Sequence, residues 1–379
     1  MLRTSTRTAT VLATLLAAIA VFAAPSALAQ RKPSDKDKKT ADALSAAQHQ
    51  EAAPLARLAD EVMKGAAPGT YLVVPPKDAN AKEAKEGPPS QPAPSEITLG
   101  WRNDFFKAQE GQIFVPFTVS VDAGKIGPAV AAYLRVVPKG AQTLPVTPPG
   151  QKPPANHFED AYFADLRTGA DKVQRLTRAF AVVPGTYDVY VALRDRPAAG
   201  TAADAPVRVI LAKQELVVPN YHTEELQTSS IVIADKIEQL TTPVAPEAMK
   251  ERPYVLGDSE VSPAADMKFK KTEELQLVFQ IYGAKIGDDK KPDVSVDYVF
   301  YTKDASGEKL FNRTPTQTLS AKTLPENFDP AAGHQLMTGQ GIPLASFPEG
   351  DYRLEIKVTD NKTQKSLTRD VLFTVAAAS

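Results

Sequence analysis

Three short stretches hold the side chains best suited to chemistry. His157-Phe158-Glu159-Asp160 sets an imidazole beside two carboxylates, a group that would supply a general base or two metal ligands. Asp288, Asp289, Asp293 and Asp297 crowd carboxylate oxygens, the donors calcium prefers, into one segment. Gly100-Trp101-Arg102-Asn103-Asp104-Phe105-Phe106 joins the single tryptophan to an arginine, an amide and a carboxylate. Such an indole would stack on a sugar ring while its polar neighbours bond the hydroxyls.

Each stretch also has a plainer reading, and the plainer one is favoured. No second histidine stands at ligand spacing from His157, and the others, His49, His222 and His334, are scattered. His157 therefore reads as an exposed loop residue. Lys285, Lys290 and Lys291 neutralise the acidic segment, and the Asp, Gly and terminal Glu spacing of a calcium-binding loop is absent, so the four aspartates are weak candidates only. Trp101, Phe105 and Phe106 read as a plug for the open end of a sandwich. With no cysteine, disulfides, thiolate nucleophiles and thiolate metal sites are excluded. No histidine is set up as the held base that a serine nucleophile needs, and no glycine-rich phosphate loop is found. The expectation is no catalytic residue, no cofactor and no metal.

The elements that would position these side chains come in two copies. Gly185, Tyr187, Val189, Val191, Leu193 and Asp195 answer to Gly350, Tyr352, Leu354, Ile356, Val358 and Asp360. Each is a turn feeding a strand of period two. Ile113, Val115, Phe117 and Val119 likewise match Leu275, Leu277, Phe279 and Ile281, and Lys125-Ile126-Gly127 matches Lys285-Ile286-Gly287. Further strands are expected at 130–137, 161–167, 176–183, 186–194, 207–218, 294–301 and 367–375. Tyr298 and Phe300 would share one face of their strand and Tyr301 the other. Gly185 and Gly350 read as turn residues, and Tyr187 and Tyr352 as tyrosine corners whose hydroxyls bond nearby backbone. Pro116 lacks a ladder donor, which places its strand at an edge or a bulge. The expected fold is all-β, two tandem immunoglobulin-like β-sandwiches at 96–219 and 226–376.

Before them, Arg3 and Arg7, an apolar run from Val11 to Ala24, and Ala27-Leu28-Ala29 match a signal peptide over 1–29, which implies export to the periplasm or beyond. No further span is expected once it is cleaved. Residues 30–95, rich in Lys, Ala and Pro, read as a mostly disordered arm with a short helix near 55–63, Pro54 breaking any longer one. The proline-containing connection over 240–267 is long for a compact domain. The 44 basic and 45 acidic residues nearly cancel, which argues against nucleic acid or an anionic membrane as partner.

Pro184-Gly185-Thr186-Tyr187-Asp188-Val189-Tyr190-Val191 and the run from Pro348 to Asp360 resemble the last hairpin of bacterial immunoglobulin-like and PKD-like modules. Residues 230–375 are similar to the carboxy-terminal β-region of secreted bacterial proteins of the GWxTD-domain type, through Pro253-Tyr254-Val255-Leu256-Gly257, Gln280-Ile281-Tyr282-Gly283 and Phe347 to Asp360. The Gly-Trp-x-Thr-Asp motif itself is absent, Asn103 standing where Thr belongs in the nearest text. The resemblance implies fold and envelope location and brings no activity.

Together these features suggest a non-catalytic, exported module of the cell envelope that binds a protein partner, with Trp101, Arg102, Asp104 and Tyr254 as the candidate surface. A carbohydrate-binding module is the alternative and requires Trp101, Tyr133 and Tyr162 along one face. A hydrolase using Glu159 and Asp160 is the third reading and requires two carboxylates facing each other in a cleft.

Overall fold

The computed structural model describes residues 35–73, 99–140, 157–196, 200, 207–242, 244–305 and 307–377. The signal-peptide segment and the Pro88–Pro92 stretch lie outside these residues. The chain divides into two bodies, the first formed by the described residues up to Glu224 together with Val244–Val255, the second by Glu225–Pro243 and the residues from Leu256 onward. The sequence-based boundaries are corrected at one point: residues 244–255 of the long connection belong to the first sandwich.

In the first body helix α1, Asp35–Met63, precedes strands β1 (Gly69–Val73), β2 (Gly100–Asn103), β3 (Phe106–Lys107), β4 (Ile113–Asp122), β5 (Ala129–Pro138), β6 (Phe158–Asp165), β7 (Arg167–Thr168), β8 (Val173–Val182), β9 (Gly185–Asp195) and β10 (Val207–Val218). One sheet runs β1-β10-β9-β5-β6 and the other β2-β4-β8-β7, with β3 also on β4. The period-two pattern of β4 drives Ile113, Val115, Phe117, Val119 and Val121 into the space between them, all buried.

Pro116 is on neither an edge strand nor a bulge, the two places its type suggested. It lies in central β4, where pairing with β2 stops at Phe117 and pairing with β3 resumes at Phe114. Asp104 N donates to Pro116 O (2.9 Å), so the missing Pro116 N–H faces the bend between β2 and β3. Pro116 has no N–H to return that bond to Asp104, so the ladder on β4 is interrupted there, between β2 and β3.

The arm is also corrected. Helix α1 is longer than the expected 55–63 and runs through Pro54. Ala52, Leu55, Leu58, Ala59 and Val62 pack on Tyr71, Tyr133, Tyr190, Ala192, Val209 and Leu211 on the outer face of the first sheet. Burying each Leu or Val contributes roughly 1.5–3 kcal/mol, enough to offset the proline defect of about 3 kcal/mol. Ion pairs frame the contact, from Asp60 to Arg135 and from Glu51 to Arg194 (3.7 Å) and Arg196 (3.8 Å). Strand β1 then adds antiparallel to β10.

The second body contains β11 (Gln227–Thr228), β12 (Val232–Gln239), β13 (Val255–Leu256), β14 (Ser259–Pro263), β15 (Lys268–Lys270), β16 (Glu274–Tyr282), β17 (Val294–Asp304), β18 (Gly307–Arg313), β19 (Gln317–Leu319), β20 (Leu336–Pro343), β21 (Gly350–Asp360) and β22 (Ser366–Ala376). β12 and β20 flank β16, as β2 and β8 flank β4, and the sheet β15-β22-β21-β17-β18 repeats the order β1-β10-β9-β5-β6. The edge strand next to the last hairpin differs, since β15 is parallel to β22 whereas β1 is antiparallel to β10. Two sheets in this order make each body an immunoglobulin-like sandwich.

The repeated residues do the same work in both copies. Tyr187 OH donates to Val183 O and Tyr352 OH to Pro348 O, each at 2.7 Å and four residues back. Asp195 accepts from Gly127 N (2.6 Å) and Asp360 from Lys285 N (3.0 Å), so the repeated aspartate ties down the repeated Lys-Ile-Gly turn. Burial opposes the charge on Asp360, yet the bonds from Lys285, Thr363 and Lys362 outweigh it and hold the carboxyl below its ordinary range.

The outer faces differ. Counting from the two corner tyrosines, the row Tyr133-Ala192-Leu211 under α1 corresponds to Asp297-Lys357-Thr368 in the second body. An apolar row needs a cover, and a polar one is solvated.

Candidate functional site

The segment Val244–Val255 reaches two parts of the first sandwich, β8 and the Arg102–Asp104 pair. Its 3-10 turn, Pro246–Lys250, packs on β8, and Tyr254 follows four residues on. Tyr254 OH donates to Asp104 Oδ2 (2.6 Å), which also accepts from Arg102 Nε (3.0 Å). Asp104 is 5% exposed and Tyr254 3%, so both sit inside the body. Burial first, then the Asp104 charge and hydrogen bond, push the Tyr254 phenol well above its ordinary value, and it stays a donor. Trp101 is half-buried, its ring centroid 6.2 Å from that of Phe117 and its Nε1 bonded to Asn103 Oδ1 (2.9 Å). Of the expected surface, Arg102, Asp104 and Tyr254 come together, with Asp104 and Tyr254 as a buried clamp, whereas Trp101 lies on the other face of β2 beside Phe117.

Beside it lies a cleft of about 100 Å³ lined by Phe158, Asp160, Tyr162, Arg178, Lys250 and Glu251, among others. Tyr162 lies on the edge strand β6 and Arg178 on β8 of the opposite sheet, past the short stretch that pairs with β7, and the guanidinium stands 4.6 Å from the Tyr162 ring centroid, bridging the open side of the sandwich. Lys250 Nζ is 5.8 Å from the Phe158 ring centroid. Both cations have loose partners, Arg178 to Glu251 at 3.5 Å and Lys250 to Asp160 at 3.8 Å. Lys250 and Glu251 are exposed on the turn. Burial pushes the Tyr162 phenol above its ordinary value, so it too remains neutral. This arrangement presents charges on a fixed turn over aromatic faces, suited to charge-assisted hydrogen bonds with a partner.

Other expected sites do not assemble. Glu159 and Asp160 are successive residues of β6 and point to opposite faces. Glu159 bonds Tyr133 and Arg135, while Asp160 faces Lys250, so they do not share a cleft. Tyr133 is 3% exposed beneath α1, in a different sheet from Trp101, and the three-ring sugar platform is not formed. The four aspartates are dispersed. Asp289 accepts from Lys291 N and pairs with Lys362, Asp293 accepts from Asn361, Asp297 from Thr316, and Asp288 is exposed. Among the described residues no group of three or more potential ligands is placed to hold a metal.

The histidines are apart as well. His157 is exposed, His222 Nε2 lies 2.8 Å from Gln112 O, and His334 Nδ1 accepts from Asp329 N. Sequence reasoning missed Arg178 and Lys250, whose significance depends on which aromatic ring each meets. The one available signal was that 240–267 was too long for a plain connection.

No family model matches the chain, and no curated protein matches it. Solved structures with which it aligns include a β-glucuronidase of Bacteroides uniformis (8% identity, TM-score 0.20, 70% of this chain and 26% of that one). Others are Escherichia coli α-2-macroglobulin activated by porcine elastase (12%, 0.20, 76% and 23%) and red sea bream transglutaminase (10%, 0.16, 74% and 31%). The chain thus spans about a quarter to a third of the length of these proteins. Among the described residues, no helix is long and apolar enough to cross a membrane.

Proposed function

We propose that the chain is an exported, non-catalytic interaction module of the cell envelope, whose first sandwich engages a protein partner through the Lys250–Glu251 turn, with Trp101 of the same sandwich as a second contact. The observation that carries this reading is that residues 244–255 form a fixed, charged turn clamped by the buried Tyr254–Asp104 bond. Rigid scaffolds that present loop side chains are a common way to build a binding surface. The signal-like amino end supports export. Binding through an exported tandem of this kind also agrees with the resemblance to secreted GWxTD-type β-regions.

The test is an affinity capture from an envelope extract of the source cells, run beside a polysaccharide panel, with wild type and a Trp101→Ala/Lys250→Ala/Glu251→Ala variant. A protein captured by wild type and lost from the variant, with unchanged thermal melting, is the expected result. Polysaccharide retention abolished by Trp101→Ala alone, without a protein partner, would replace this reading with glycan binding.

A further inference from the structure

We infer that the outer face of β18-β17-β21-β22 in the second sandwich is a docking surface for a basic amphipathic helix of a protein partner. Leu310, Tyr301, Arg353 and Leu372 stand opposite one another across these four strands, forming one row in register. The two end residues are large hydrophobics left in solvent, Leu310 57% and Leu372 55% exposed. Between them Arg353 stands 4.3 Å from the centroid of the Tyr301 ring and bonds Glu308 (2.9 Å), Glu355 (2.9 Å) and Asp370 (2.6 Å). The centre of the row is preorganised, and Arg and Tyr are among the residue types that dominate binding energy at protein interfaces. Side chains already held in place lose little entropy on docking.

The charge and the first sandwich together indicate the occupant. Three carboxylates on one guanidinium leave two formal negative charges beside the leucines. Lys303 stands opposite Asp351 and Glu308, Lys357 opposite Asp297, and Arg313 opposite Val299 at the end of β18, so over the whole face five carboxylates meet four cations and the acidic excess sits around Arg353. On the equivalent sheet of the first body, the row Arg135-Tyr190-Lys213 lies on the face that α1 covers, and the acidic Asp60 and Glu51 of that helix pair with Arg135, Arg194 and Arg196. The corresponding row in the second body is Val299-Glu355-Asp370. The sign is inverted, so a helix docking here carries lysine or arginine where α1 carries aspartate and glutamate. Three strand spacings separate Leu310 from Leu372, about 14 Å, which a helix lying along the row covers in two to three turns.

The test uses the full chain and two labelled synthetic peptides about five turns long, one of leucine and lysine, the other with glutamate replacing each lysine. Fluorescence anisotropy is expected to show binding of the lysine peptide that weakens as salt rises, and at least about tenfold weaker binding of the glutamate peptide. Leu310→Ser/Leu372→Ser, both on the surface, is expected to keep the wild-type melting temperature and lose at least about fivefold in affinity for the lysine peptide. Equal binding of both peptides, no binding, or binding unchanged in the double variant would each overturn the inference. Sedimentation of wild type alone adds one more outcome: self-association abolished by the double variant would assign the face to a second copy instead.

Discussion

At the residue scale, the repeated side chains spend their polar atoms on backbone, and removing those atoms has a calculable cost. Tyr187→Phe and Tyr352→Phe each delete one hydroxyl-to-carbonyl bond while keeping the ring in place. Each is expected to destabilise its own sandwich by about 1–2 kcal/mol, read as a lower urea midpoint with unchanged slope. Tyr254→Phe leaves the buried Asp104 carboxylate with one fewer donor, and a cost of about 1.5–3 kcal/mol is expected, since hydrogen bonds to charged groups are stronger. The same tyrosines set an alkaline limit. Burial raises the Tyr187 phenol to about 12, and burial and Asp104 hold Tyr254 well above its ordinary value. Above the ordinary value near 10 the unfolded chain loses these protons while the native chain keeps them. Unfolding then releases protons and stability falls with rising pH. This contribution is intact below pH 10 and declines from there toward the folded values. Urea midpoints measured from pH 8 to 11 should show the fall, and a Tyr254→Phe chain should show a shallower one.

At the scale of elements, α1 exists because tertiary packing outweighs local preference. Proline in a helix interior removes a hydrogen bond and crowds the preceding turn, so Pro54 argued for a break. The buried stripe on either side of it, from Ala52 to Val62, keeps the helix continuous, because an apolar sheet face lies under it. Pro54→Ala is therefore expected to stabilise the helix by up to about 3 kcal/mol, seen as slower amide exchange in the turns around residue 54. Pro116 is a related case. Its residue type announced that a donor was missing, but only the break between β2 and β3 shows why a central strand tolerates it.

At the scale of the whole molecule, one topology is used twice with opposite surface choices. The outer row Tyr133-Ala192-Leu211 requires α1, and Asp297-Lys357-Thr368 does not. Ala192→Lys/Leu211→Thr, which writes part of the second pattern onto the first sheet, is expected to release α1 while leaving both sandwiches folded. Hydrogen exchange should then collapse over the helix and persist in β4 and β16. Loss of protection throughout the first body would show instead that the helix is integral to its sandwich.

The sequence by itself determined the fold class, because period-two alternation leaves a strand one way to bury its apolar side, and a pattern repeated with both its turn glycine and its corner tyrosine requires the same hairpin twice. It also determined that a helix forms near residues 55–63 and that Tyr298 and Phe300 share the face opposite Tyr301. What it did not determine is which side chains from distant segments meet. Glu159 and Asp160 looked like a pair and point apart, whereas Asp104 and Tyr254, expected together on a surface, are buried and joined by a hydrogen bond. Neighbours along a strand are held on opposite faces by the pleat, while partners across a sandwich are chosen by loop path and packing. Only the tertiary structure assigned residues 244–255 to the first body, stacked Arg178 on Tyr162, and aligned Leu310, Tyr301, Arg353 and Leu372 in one row.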